Sequence, residues 1–156
     1  MKRTDFYQLI VPLMDRLYVL AHTLLPDDLH AEQLVIDSVN AYLLKERKSI
    51  WKAEVDMSNK KDLLLVRKKT LKGIIRHLGE IGGRRSLQLT EQMRLTIPNE
   101  HKSFYALDPK IRLILRLRYE GQFSVDEICD IFGMPRYEVI EKLHNGRFLL
   151  INEGSI

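Results

Sequence analysis

Apolar side chains recur at helical intervals along most of this chain, and no run alternates convincingly with the period of two that marks a half-buried strand. Phe6, Ile10, Leu13, Leu17, Leu20 and Leu24 share one face of a helix over about residues 5–25, with Pro12 as a point of bending. Pro26-Asp27-Asp28 makes a turn with an acidic cap. Behind it Ala31, Leu34, Val35, Ile36, Val39, Tyr42 and Leu43 define a second helix that ends near residues 45–48. The stretch 49–60, which holds Trp51, has weak periodicity and reads as a loop or a short helix. A third helix is expected over about 61–78, with Leu64, Leu71, Ile74, Ile75 and Leu78 on its apolar side. Gly79, Gly82 and Gly83 then punctuate the chain, and a polar stretch continues to Pro98-Asn99.

Local signals are sharpest in the last third. Asp108 can cap a helix whose first position is Pro109, where a missing amide hydrogen costs nothing. Ser124 with Glu127 three residues on spells a capping box, and Gly133 supplies the left-handed stop. A further helix starts at Pro135, with Val139, Leu143 and either Phe148 or Leu150 inward and Arg136, Tyr137, Glu138, Glu141, Lys142 and Asn145 outward. Two helices joined by so short a turn match the helix-turn-helix layout, although any tri-helical domain needs similar caps. The expected fold is all-α: two small helical domains, 1–79 and 101–156, joined by a linker at 80–100.

Composition narrows the chemistry. With 156 residues and 45% apolar content, the chain can bury one ordinary core or two small ones. No stretch reaches the roughly 20 apolar residues a bilayer span needs, so the expected place is the cytoplasm without membrane insertion. A lone cysteine, Cys129, excludes an internal disulfide, and five scattered histidines show no ligand spacing. No metal, cofactor or catalytic residue is expected, because no phosphate loop, activated nucleophile or catalytic acidic pair can be recognised.

The net charge of +4 is modest, but it is unevenly spread. Between Lys60 and Arg85 nine bases face two acids, Asp62 and Glu80. Lys68, Lys72 and Arg76 fall at i, i+4 and i+8 and form a stripe suited to phosphates, or else a solvated face. Residues 124–151 run the other way, with five acids against three bases. Lys110, Arg112, Arg116 and Arg118 could restore attraction from the preceding helix.

Taken together, Ser124 to Gly133, the basic helix and the run Ala31-Glu32-Gln33-Leu34-Val35-Ile36-Asp37 after an acidic turn resemble the two-domain extracytoplasmic-function sigma factors over nearly the whole chain. The terminal motif carries Cys129 where the family usually has alanine, and the family's Arg-Asn dipeptide is absent from the basic helix. The resemblance implies a transcription initiation protein that binds core RNA polymerase through Glu32, Gln33 and Asp37 and directs it to promoter DNA. It implies DNA contacts from Lys68, Lys72 and Arg76 and, in the last helix, from Arg136, Tyr137, Lys142, Asn145 and Arg147. It also implies an anti-sigma-type regulatory protein as a further partner. The alternative is a divergent sigma-like interaction protein that binds a regulatory partner and has lost promoter reading, which Glu138 and Glu141 favour by repelling phosphates.

Overall fold

The computed structural model describes residues 3–52, 58–89 and 94–152, with side chains at 3, 4, 47–52 and 152 left out. Among the described residues every regular element is a helix, so the protein is all-α as expected. Helix α1 (Arg3–Ile10) passes through a tight 3-10 turn at Val11–Leu13 into α2 (Met14–Leu24). Pro12 causes the break, since it has no amide hydrogen to continue the α-helical ladder. At the next turn the Asp27 carboxylate accepts from the His30 amide at 3.0 Å and starts α3 (Asp28–Lys52). This helix outlasts the expected end near 45–48, and Trp51 lies on its last turn with its side chain outside the described residues.

Helix α4 (Lys60–Leu87) is the spine of the molecule. Asn59 caps it, its side-chain oxygen accepting from Lys61 N at 3.0 Å and Asp62 N at 3.4 Å. The glycines at 79, 82 and 83 predict an end near Leu78, but the helix continues to Leu87 and occupies residues 80–87 of the stretch expected as a linker. At Gly79 and Gly82 the physical reason is close approach. A Cβ on Gly82 would sit 2.5 Å from a Leu24 methyl and 2.8 Å from one of Leu34, and a Cβ on Gly79 would sit 3.0 Å from the Phe132 ring and 3.2 Å from Leu113. Each glycine costs up to about 1 kcal/mol of helix propensity and lets another helix come closer. Leu71, Ile74, Ile75 and Leu78 are buried as expected, whereas Leu64 is exposed.

A 3-10 turn at Asn99–His101 leads into the short α5 (Lys102–Ala106), followed by α6 (Pro109–Tyr119), α7 (Val125–Phe132) and α8 (Arg136–Asn152). Asp108 caps α6 as its position suggests, accepting from Lys110 N at 2.9 Å. Helix α2 packs on α3, α4 and α6, and α4 packs on α6 and α7. One continuous apolar core results, running from Phe6 and Leu17 through Leu34, Ile74 and Leu78 to Leu113, Ile114, Leu117 and Ile128. Each such fully buried side chain contributes about 1.5–3 kcal/mol over its exposed state. Among the described residues no single helix is long and apolar enough to cross a membrane.

Candidate nucleic-acid interface

The α7–α8 pair forms locally for the reasons its sequence gives. Ser124 Oγ accepts from Glu127 N at 3.1 Å while Ser124 N donates to Glu127 Oε1 at 3.2 Å, so both halves of the capping box are made. Gly133 adopts φ 63°, ψ 34°, a left-handed conformation that reverses the chain within three residues. Met134 N then donates to Cys129 O at 3.2 Å, and α8 departs with Val139, Leu143 and Gly146 against the core.

Helix α8 turns a mixed surface outward. Arg136, Tyr137, Glu141, Asn145 and Arg147 are exposed, and Glu138 and Lys142 are half-buried. Two of the cations already have partners: Arg136 Nη1 meets Asp126 Oδ1 at 2.6 Å, and the Arg147 guanidinium lies 5.6 Å from the Tyr119 ring centroid. Ile140 and His144 are exposed beside Tyr137, and of the two candidates for the inward face Phe148 is exposed while Leu150 is half-buried.

The basic stripe of α4 faces α7. Lys68 Nζ lies 2.9 Å and Lys72 Nζ 3.6 Å from Glu127 Oε2. One turn on, Arg76 Nε donates to the Ile131 carbonyl at 2.7 Å and Nη2 to the Asp130 carbonyl at 2.9 Å. These carbonyls belong to the last turn of α7, where unpaired acceptors and the negative dipole end favour a cation. The Lys68 ammonium, helped by the Ser124 amide and opposed by burial, holds the Glu127 carboxyl down at about 2. All three stripe residues expected to meet phosphate are therefore engaged within the molecule in this conformation. Glu127 reads from sequence only as a cap, and its second role has no local signal because its partners lie more than fifty residues away.

Of the bases expected to restore attraction from the preceding helix, Arg112 is turned inward and Arg116 is half-buried. Arg112 is 3% exposed, and its guanidinium donates to the carbonyls of Thr23 (2.9 Å), Leu24 (3.2 Å), Tyr105 (2.7 Å) and Leu107 (2.8 Å) and to Ser86 Oγ (2.7 Å). It thereby closes the C-terminal ends of α2 and α5 and ties both to α4. Burial pulls its pKa down to about 10, which leaves it charged at neutral pH. Arg116 Nε donates to Thr23 Oγ1 at 3.2 Å and Nη1 to Glu120 at 2.5 Å. Tyr105 adds a hydrogen bond from its hydroxyl to the His22 carbonyl at 2.6 Å.

Helix α3 presents Glu32 and Gln33 to solvent, with Asp37 half-buried. Gln33 Nε2 donates to Asp37 Oδ1 at 2.9 Å, and Arg85 Nη2 of α4 meets Asp37 Oδ2 at 2.5 Å. Arg85, aided by Gln33 and opposed by burial, holds the Asp37 carboxyl below its ordinary value. Leu29, Ile36 and Leu44 are exposed on the same face, at 70%, 49% and 76%. An acidic face studded with exposed apolar side chains suits a protein surface better than a phosphate backbone.

Among the described residues no group of three His, Cys, Asp or Glu side chains is placed to hold a metal ion. Compared with known proteins, the chain matches no family model, no curated protein and no solved structure.

Proposed function

We propose that this protein is a sigma-factor-like transcription initiation protein that binds core RNA polymerase and directs it to promoter DNA in the cytoplasm, without chemistry of its own. The observation that carries the reading is the α7–turn–α8 unit, whose capping box and left-handed Gly133 hold α8 on the surface. In this reading 1–79 and 101–156 act as two functional units. The exposed side of α3, with Glu32, Gln33 and Asp37, docks on the polymerase, Asp37 keeping Arg85 as its partner in the resting form. Helix α8 offers Tyr137, Lys142 and Asn145 to a major groove, with Arg136 and Arg147 at phosphates once their intramolecular partners yield. The closed arrangement is the resting form: Lys68, Lys72 and Arg76 are bound to α7, and separating α7 from α4 exposes the stripe to phosphate.

Reconstitution of the purified chain with core polymerase, followed by sequencing of the transcripts, tests the reading. Polymerase binding with enriched start sites is expected, and absence of both overturns it. A second reading, a sigma-like protein that binds a regulatory protein such as an anti-sigma-type partner and reads no promoter, is favoured by the apolar residues and acids on α8. A salt titration separates the two. Promoter reading leaves a sequence-dependent affinity after the steep salt term, and the second reading leaves none.

A further inference from the structure

Helix α8 carries two faces. Val139, Leu143 and Gly146 pack on the core, while Tyr137, Ile140, His144, Phe148 and Ile151 recur every third or fourth residue along the solvent side. Tyr137, Ile140, Phe148 and Ile151 are 72%, 46%, 56% and 59% exposed. The stripe is about 21 Å long at 1.5 Å per residue. Side chains of this size leave on the order of 400–500 Å² of surface exposed per molecule, more than scattered surface hydrophobics account for.

The geometry points to a second copy of this chain as the occupant, with the two α8 helices side by side and parallel. Two observations select it. Joining two stripes removes at most about 800–1,000 Å² in total, which lies at the lower edge of specific interfaces and in the range of a weak, reversible one. Charge supplies the orientation. Arg136 flanks the stripe on one side and Glu141 on the other, five residues apart, the spacing at which residues on opposite flanks of two parallel helices meet. Each Arg136 then faces Glu141 of the second copy, twice over by symmetry. An antiparallel pair loses this match. Arg136 keeps Asp126 beside it and is still exposed enough to reach outward.

The dimer goes beyond the proposed function and bears on it, because the paired helices cover Tyr137 and leave α8 unable to enter a groove. Dimer and promoter reader are mutually exclusive states of the same helix. The test is sedimentation equilibrium on the full chain and its variants, with helicity and thermal unfolding measured to show that each is folded. The expected result is a reversible dimer at micromolar to tens-of-micromolar concentration that Phe148→Glu makes monomeric. Arg136→Glu alone and Glu141→Arg alone should each weaken it at least tenfold, and the double exchange should recover most of the loss. A wild-type chain that stays monomeric at 100-fold higher concentration overturns the proposal and assigns the stripe to a different protein. A dimer indifferent to Phe148→Glu, or a charge exchange without recovery, overturns it as well. None of these outcomes depends on polymerase, so the dimer and the initiation reading fail separately.

Discussion

Replacing Glu127 by glutamine should loosen the α4–α7 contact without disturbing α7. Glutamine retains the side-chain oxygen that accepts from Ser124 N, and capping boxes use either residue, so the helix start survives. What disappears is the charge facing Lys68 and Lys72 at 2.9 and 3.6 Å. Lowering a carboxyl from 4.5 to about 2 corresponds to at most about 3 kcal/mol. Lys68 is 57% exposed, and solvent screening reduces the figure to about 1–2 kcal/mol. Because the folded pKa is depressed, this contribution is complete above the unfolded value of 4.5 and is lost as pH falls through it toward 2. Urea unfolding of wild type and Glu127→Gln should differ by about 1–2 kcal/mol at pH 7, and the difference should shrink from pH 4.5 downward. The same substitution frees two ammonium groups. Affinity for random duplex DNA at low salt should rise by about 5- to 30-fold, and the slope of log affinity against log salt should steepen by up to about 2. Equal stability at pH 7, or a stability loss with no gain in DNA affinity, refutes the idea that this contact masks the stripe.

The remaining predictions concern what holds the two halves of the chain together. Arg112→Met should cost about 3–5 kcal/mol in urea unfolding, because the carbonyls of Thr23, Leu24 and Leu107 and the Ser86 hydroxyl lose their buried donor; a loss under 1 kcal/mol contradicts the anchoring role. Adjacent glycines should respond with opposite sign. Gly83→Ala, with nothing within 4 Å of the new methyl, should raise stability by about 0.5–1 kcal/mol, while Gly82→Val should lower it by about 1–3 kcal/mol through collision with Leu24 and Leu34. Thermal unfolding of both variants checks the pair, and a shared sign contradicts the close-approach account of the α4 glycines.

What the sequence determined by itself was local. The helical period, the Asp108 cap, the Ser124–Glu127 box and the left-handed Gly133 depend on side chains within four residues of each other, so they are legible without a fold. The apolar face of α4 from Leu71 to Leu78 belongs to the same class. Only the tertiary structure decided where charges go. Periodicity shows that Lys68, Lys72 and Arg76 share a face, but whether that face meets water, phosphate or another helix depends on an element fifty-five residues away. Arg112 looks like any surface arginine in sequence, yet four carbonyls and a hydroxyl converge on it from three helices and the loop after α5. The glycines of α4 mislead for the same reason. Their intrinsic preference is to end a helix, and packing overrides it where a missing side chain leaves room for the side chains of a neighbouring helix.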